Sequence, residues 1–202
     1  MGRSLLTLLV ITGLAGTIND YSVSKVERKY ALNLMKETYK DAVRTTKGLS
    51  DAQLNFKAAP EKWSVKECFY HIAATEKGLW GMLESAMKAP ANPEKRSEIK
   101  VTDEQFVNMI KDRTTKFQAP EPFQPKNLTY KSLEEAADDF KMSRTAHIKY
   151  MKTSTEDMRN HVVQMPFGWI DCYQLYLMIG AHSNRHTQQM NEVKANPAFP
   201  AQ

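Results

Sequence analysis

Near its end the chain reads DCYQLYLMIGAHSNRHTQQMNEV, from Asp171 to Val193. Wound at 3.6 residues per turn, this segment gathers its apolar side chains on one helix face, which should point into a protein core. That face consists of Leu175, Met178, Ile179, His182, His186, Gln189, Met190 and Val193. Two imidazoles therefore lie in the middle of a largely hydrophobic stripe.

His182 and His186 have the spacing of metal ligands. Residues four apart on a helix are neighbours, with Cβ atoms about 5–6 Å apart. Both rings can therefore reach one ion, at about 2.0–2.1 Å if the ion is zinc. Two histidines make a weak site, so a third ligand has to come from elsewhere in the chain. The alternative is a pair of hydrogen-bonded core histidines, and these residues alone leave both interpretations open.

Length and charge narrow the class of protein. A chain of 202 residues is long enough for one domain with a substantial core. The net charge of +5 comes from 28 basic and 23 acidic residues that are interleaved. There is no separate run of Lys and Arg and no alternation of basic with aromatic residues, so we do not expect a nucleic-acid partner.

The first residues differ from the rest. An apolar run from Leu5 to Leu14 follows a single positive charge, Arg3, and precedes the small residues 15–17. This is the layout of a secretory signal, and the run is too short to span a bilayer. We expect residues 1–19 to be a signal peptide, residues 20–202 to be the folded domain, and the product to be periplasmic or secreted without stable membrane insertion. The alternatives are a buried N-terminal helical turn and a cytoplasmic protein.

Helical periodicity predicts an all-α protein. No segment alternates with period two and no internal repeat is visible, so a helix bundle is expected. The first helix should bury Val26, Tyr30, Ala31, Leu34, Met35 and Ala42. Residues 49–62 are expected to form a loop, and residues 155–168 to be irregular or briefly helical. The predicted long helices cover residues 24–47, 64–87, 132–152 and 171–195, and a shorter one covers residues 102–117.

The connection between the second and third long helices, residues 88–131, is long enough to cross the whole bundle. Those two helices can therefore run parallel. The predicted fold is an up-down-down-up four-helix bundle with a long crossover.

Two charges lie inside apolar stripes. Glu76 is centred on the stripe of the second long helix and Arg144 on that of the third. A lone buried charge is costly, and buried charges usually occur in pairs. We predict that Glu76 and Arg144 face each other. Cys68 and Cys172 lie in separate predicted helices, and the sequence does not show whether they are two buried thiols or one disulfide.

These features together resemble the DinB-like family of four-helix bundles, which includes the YfiT-type metal-dependent hydrolases and the bacterial thiol transferases. The resemblance extends from about Lys25 to Pro200. It is carried by residues 48–57 (GLSDAQLNFK), 62–68 (KWSVKEC), 71–73 (HIA) and 181–189 (AHSNRHTQQ).

The resemblance implies three imidazole ligands to a divalent metal, which map onto His71, His182 and His186. Many relatives have an acidic residue where this chain has Asn184. We expect zinc or nickel, although imidazole also suits iron and copper. The further candidates for contacts around the ligands are Gln189, Glu76, Arg144 and Cys68.

Three classes of function follow. The first is a metal-dependent enzyme that acts on a small molecule by hydrolysis or thiol transfer, with Glu76 as the one buried carboxylate that could serve as a base. The second is a metal- or ligand-binding bundle without turnover, related to stress. The third is a purely structural bundle with hydrogen-bonded core histidines. The fold is also compatible with a homodimer.

Overall fold

The computed structural model of the protein describes residues 23–201. The expected signal peptide, residues 1–19, lies outside the described residues. Among the helices of the described part, none is both long enough and apolar enough to cross a membrane.

The chain forms a helical bundle with one small hairpin. Most of the α-helices begin at a side chain that caps the first turn, and capping boxes are complete at Ser24, Ser50, Ser64 and Thr102. Short 3₁₀ turns cover Pro93–Glu98, Glu121–Phe123 and Pro125–Asn127. The α-helices and strands are α1 (Lys25–Thr46), α2 (Asp51–Asn55), α3 (Val65–Lys88), α4 (Asp103–Lys111), α5 (Leu133–Thr153), β1 (Val162–Met165), β2 (Gly168–Asp171) and α6 (Cys172–Lys194).

Side-chain contacts fix the direction of α3 relative to α5. Phe69, early in α3, packs edge-on against Phe140, early in α5. Trp80, late in α3, packs against Tyr150, late in α5. These two helices are therefore parallel.

The other two long helices run the opposite way. Tyr173, at the start of α6, donates a hydrogen bond to the Glu27 carbonyl at the start of α1, and Lys194 binds the Thr45 carbonyl where both helices end. Helices α1 and α6 are therefore parallel to each other. Trp63, just before α3, stacks on His186, and Thr75, further along α3, contacts His182, which precedes His186 in α6. Helix α3 is therefore antiparallel to α6, and the order is up-down-down-up. The fold predicted from the sequence is confirmed.

The core consists of two apolar clusters separated by a polar layer. One cluster includes side chains from the start of α6 and the end of α5, and the other includes side chains from the start of α3 and the end of α6. Each long helix contributes buried polar side chains between the two clusters. These are Thr38 from α1, His71, Thr75 and Glu76 from α3, Ser143, Arg144 and His147 from α5, and Ser183, His186 and Thr187 from α6.

Several local expectations were wrong. In α1, Ala31, Leu34, Met35 and Ala42 are buried as expected. Val26 and Tyr30 are instead 79% and 40% exposed, because they lie off the helix face that the buried residues share. The loop expected after Gly48, which has a φ of +75°, contains the short helix α2.

The ends of two other segments also differ from expectation. Helix α4 ends at Lys111 instead of Phe117, because the Asp112 carboxylate accepts hydrogen bonds from Thr114 and the Arg185 guanidinium binds the carbonyls of Asp112 and Thr115. The segment expected to be irregular contains the β1–β2 hairpin, in which Val162 pairs with Asp171 and Met165 with Gly168.

Candidate metal centre

Three histidines meet where α3 and α6 cross the polar layer. His71 comes from α3, and His182 and His186 come from successive turns of α6. One ring nitrogen from each lies within 4.8 Å of the other two. The closest pair is Nε2 of His71 and Nε2 of His182, 3.3 Å apart.

The other ring nitrogen of two of these histidines is bound to an oxygen of the protein. His71 Nδ1 lies 2.7 Å from the carbonyl oxygen of Phe123, and His186 Nδ1 lies 2.9 Å from Oε1 of Gln189. Carbonyl oxygens only accept hydrogen bonds, so each Nδ1 carries the proton and donates it. The Nε2 atom of each neutral ring is then an unprotonated acceptor.

Thr75 does the same for the third histidine. Its Oγ1 lies 2.6 Å from the backbone carbonyl of His71, to which its single hydroxyl hydrogen is donated. The same Oγ1, 3.3 Å from His182 Nδ1, is therefore the acceptor for that ring. All three histidines thus hold the tautomer with a proton on Nδ1 and a lone pair on Nε2.

This arrangement fits a bound cation. The two Nε2 atoms of His71 and His182 face each other at 3.3 Å with no proton to share between them, which is unfavourable unless a positive charge lies nearby. Two tetrahedral zinc ligands at their usual bond length would lie about 3.3–3.4 Å apart. Metal-binding histidines usually donate their second ring N–H to a carbonyl or another fixed acceptor, as all three do here.

The surroundings keep the three rings neutral. Burial lowers the pKa of His71 to about 4, although its hydrogen bond to Phe123 acts in the opposite direction. Burial also lowers the pKa of His186 well below its usual value, and the two neighbouring imidazoles lower it further. His182 keeps part of its surface exposed, but burial, His71 and Arg185 together hold its pKa well below the usual range. The donors are therefore available to a metal at neutral pH.

Trp63 closes one side of the centre. It precedes α3, and its indole stacks on the His186 ring with a centroid distance of 5.7 Å and an angle of 18°. The same indole packs against His71 at 4.9 Å. His71 and His186 are buried while His182 is partly exposed, so the centre is most open beside His182.

Comparison with known families agrees with the fold. A sequence model of the DinB superfamily matches residues 34–190, a span that includes the three histidines. The chain belongs to the DinB superfamily. The resemblance seen in the sequence is therefore confirmed.

Two proteins that are similar to this DinB-superfamily chain come from Bacillus subtilis. The uncharacterized protein YuaE of strain 168 is 28% identical over 166 residues, which cover 81% of this chain and 96% of YuaE. The solved structure of YfiT, described as a probable metal-dependent hydrolase with an unusual four-helix bundle topology, matches with a TM-score of 0.58 at 12% identity. That match covers 86% of this chain and 89% of YfiT, and it shows a shared fold.

The structure places the other candidate residues at different distances from the centre. Gln189 contacts it directly, through the hydrogen bond from His186. Glu76 and Arg144 bind each other inside the bundle, as predicted. Both residues neighbour the centre without contributing a ligand. Glu76 is the residue after Thr75, and the Arg144 guanidinium donates to Ser183, the residue after His182.

Glu76 is fully engaged and remains ionised. Burial by itself raises its pKa, but the Arg144 charge and the hydrogen bonds from Arg144 and His147 outweigh that effect and hold the pKa below its usual value. Its Oε1 accepts hydrogen bonds from both Arg144 and His147, and its Oε2 accepts one from Arg144. Glu76 is therefore not free to act as a base.

Neither cysteine has the properties of a nucleophile. Cys68 and Cys172 are free thiols in different apolar clusters, so they do not form a disulfide with each other. Burial raises the pKa of Cys68 far above its usual value and that of Cys172 to about 12. Cys68 packs in the core one turn before His71.

Two contacts of the histidines, those of Thr75 and of the Phe123 carbonyl, were not predicted from the sequence. Thr75 could have been found, because it lies one turn after His71 on the same helix face. The Phe123 carbonyl carries no residue-type signal at all. The remaining histidines lie outside the cluster. His147 is buried beside Trp80 and donates to Glu76, and His161 binds the Ala86 carbonyl.

Proposed function

We propose that this chain is a divalent-metal-dependent enzyme of the hydrolase type that acts on a small molecule, with His71, His182 and His186 as its metal ligands. The observation that carries the proposal is the uniform tautomer of the three rings. Each Nδ1 donates to a protein oxygen, so the Nε2 lone pair of each ring is free for a ligand, and one ring nitrogen of each histidine lies within 4.8 Å of the other two. The description of YfiT as a probable metal-dependent hydrolase supports the same class.

Three protein ligands are typical of catalytic metal sites, which keep at least one coordination position open, whereas structural sites usually have four. A divalent ion bound there would supply Lewis-acid activation of a water molecule or of a substrate oxygen. Zinc or nickel remains our proposal for the ion, since imidazole donors suit both.

The protein supplies orientation and a defined entrance. Each ring donates its Nδ1 proton to a fixed acceptor, which is the Phe123 carbonyl, Thr75 or Gln189. These hydrogen bonds orient the three Nε2 donors before any ion binds. Trp63 packs against the rings of His71 and His186, which are both buried. A small molecule would approach beside His182, which is the partly exposed member of the three.

A second candidate, a metal-binding bundle without turnover, is favoured by one observation. Glu76, the buried carboxylate that the sequence offered as a base, is committed to Arg144 and His147. Glu76 is therefore not the base, and proton transfer would rely on solvent or on the substrate itself.

The test begins with metal analysis of untagged protein, followed by an activity screen on the same sample. We expect about one divalent ion per chain and hydrolysis of at least one ester, amide or related small substrate that a chelator abolishes and the ion restores. A screen with and without an added low-molecular-weight thiol separates hydrolysis from thiol transfer. Stoichiometric metal with no turnover would favour the non-catalytic bundle, and the absence of metal after metal-replete purification would contradict both.

A further inference from the structure

Phe123 approaches the three-histidine centre from the long connection between α3 and α5 and meets α3 at two points. Its carbonyl oxygen accepts the hydrogen bond from His71 Nδ1 at 2.7 Å. The tip of its ring points at Gly78. Because seven residues are about two helical turns, Gly78 and His71 lie on the same face of α3.

The segment that carries Phe123 has few other attachments through hydrogen bonds. Within the described chain, the remaining hydrogen bonds of residues 119–128 join residues of that segment to one another. They make Glu121–Phe123 and Pro125–Asn127 into two compact turns without tying them to the bundle. The position of the Phe123 carbonyl over His71 therefore depends on how the segment packs against α3.

Gly78 provides the space for that packing. A Cβ atom at this position would lie 2.3 Å from Cζ and 2.8 Å from Cε1 of Phe123, whereas ordinary contacts begin at 3.4 Å. Any side chain at position 78 would therefore displace the ring by about 1 Å. Glycine weakens a helix interior compared with alanine, and of the two glycines in α3 only Gly78 lies against a side chain that a Cβ atom would displace.

We propose that Gly78 is a positioning residue of the three-histidine centre. Its missing side chain lets the Phe123 ring seat on α3, and the seated ring holds the Phe123 carbonyl against His71 Nδ1. That hydrogen bond keeps the His71 proton on Nδ1 and leaves the Nε2 lone pair directed at the centre. The consequence for metal affinity rests on the proposed function, but the consequence for the His71 tautomer applies to the metal-free protein as well.

The experiment compares Gly78→Ala with Gly81→Ala in metal-free protein. Both substitutions place the same methyl group on α3 and raise helix propensity equally, but a Cβ at Gly81 meets nothing within 4 Å. Nitrogen NMR of the histidine side chains reports which ring nitrogen is protonated. We expect His71 to be protonated on Nδ1 in wild type and in Gly81→Ala, and to shift partly or fully to Nε2 protonation in Gly78→Ala. Zinc affinity, measured by competition with a chelator, should fall about 10-fold or more in Gly78→Ala alone.

Removing the ring tests the route of the effect. If Gly78 acts through Phe123, then Gly78→Ala should have no further effect on the tautomer in a Phe123→Ala background. An unchanged His71 tautomer in Gly78→Ala would overturn the proposal, and so would an undiminished Gly78→Ala effect in the absence of the ring. Should the tautomer respond as expected while wild type binds no zinc, the positioning role of Gly78 would stand and the proposed metal function would fall.

Discussion

The guanidinium of Arg144 on α5 donates two hydrogen bonds, both of 2.7 Å, to the two carboxylate oxygens of Glu76 on α3. Both side chains are at most 2% exposed. The same guanidinium binds the Met35 carbonyl and the Thr38 hydroxyl on α1 and the Ser183 hydroxyl on α6. One side chain therefore joins the four long helices in the polar layer that also contains the histidine cluster.

Removing one member of this ion pair should lower the free energy of unfolding more than replacing both members with apolar residues. Glu76→Leu would leave the Arg144 cation buried without its counterion, and we expect a loss of about 3–5 kcal/mol in the free energy of unfolding. Arg144→Met should lower the free energy of unfolding by a similar amount, because it leaves the Glu76 anion buried without its counterion. The double variant should cost clearly less than the sum of the two, because no unpaired charge remains. Urea unfolding of the four proteins measures the coupling.

An exposed ion pair provides the control. Arg44 binds Asp41 at 2.7 Å on the surface of α1, where its side chain is 79% exposed. Removing Arg44 should change the free energy of unfolding by less than about 1 kcal/mol. Additive losses at Glu76 and Arg144 would show that the buried pair is not coupled.

The metal-free protein should lose stability on acidification because of its histidines. The pKa of His71 is about 4 in the folded protein, whereas an imidazole in the unfolded chain has a pKa of about 6.5. Between these values the unfolded chain binds the extra proton, so the free energy of unfolding falls as the pH is lowered from about 6.5 to about 4. His71 alone would contribute a loss on the order of 3 kcal/mol across that window, and His182 and His186 shift in the same direction.

Urea titrations at several pH values, with and without His71→Gln, would measure this contribution. The variant keeps a side-chain amide but has no group that titrates in this range. Its free energy of unfolding should depend less steeply on pH between about 6.5 and 4 than that of wild type. Identical pH slopes for the two proteins would contradict the lowered pKa of His71.

Some parts of this arrangement were accessible from sequence because side-chain type and helical spacing encode them. His182 and His186 are four residues apart within an apolar stripe, and Glu76 and Arg144 stand out as charges within two others. The Phe123 contact was not accessible, because its contribution to the centre is a backbone carbonyl that any residue could offer. Its approach also depends on a long connection whose path is fixed by tertiary packing.

The errors in the fold prediction also occurred where residue type alone does not determine the local structure. Hydrophobicity identified the buried Ala31, Leu34, Met35 and Ala42 of α1, but it also selected Val26 and Tyr30, which lie off that face and are exposed. The strands β1 and β2 are four residues each and do not alternate between buried and exposed positions, so a search for period two could not find them.

The acceptor for His186 should matter for metal affinity and little for folding. Gln189→Ala removes the Oε1 atom that accepts a 2.9 Å hydrogen bond from Nδ1 of His186. Loss of such a contact around a metal ligand typically weakens binding about 10–100-fold. The matched control is Gln188→Ala, because Gln188 is exposed and donates to the Lys111 carbonyl and to Asn184. Zinc titration of both variants would test this, and equal affinities would exclude a role for Gln189 in orienting His186.

Removing His182 should separate metal binding from folding. The side chain is partly exposed and lies between two apolar clusters that do not depend on it. Because tertiary packing of a core this large stabilises the helices, His182→Ala should retain its helical circular dichroism and cooperative unfolding. Its metal content should fall from about one ion per chain to a small fraction of that, since the remaining pair of imidazoles makes a weak site.

His161→Ala is the control for the loss of an imidazole elsewhere. His161 binds the Ala86 carbonyl through Nδ1 and lies outside the three-histidine cluster, so its replacement should leave metal content unchanged. Elemental analysis of the wild type and both variants, purified in parallel without an affinity tag, gives the comparison. A full equivalent of metal in His182→Ala, or its loss in His161→Ala, would show that the ligands are assigned wrongly. Metal-free wild type after metal-replete purification would instead favour a core of neutral histidines held by hydrogen bonds, in which the Nε2 atoms of His71 and His182 would have to move apart or share a proton.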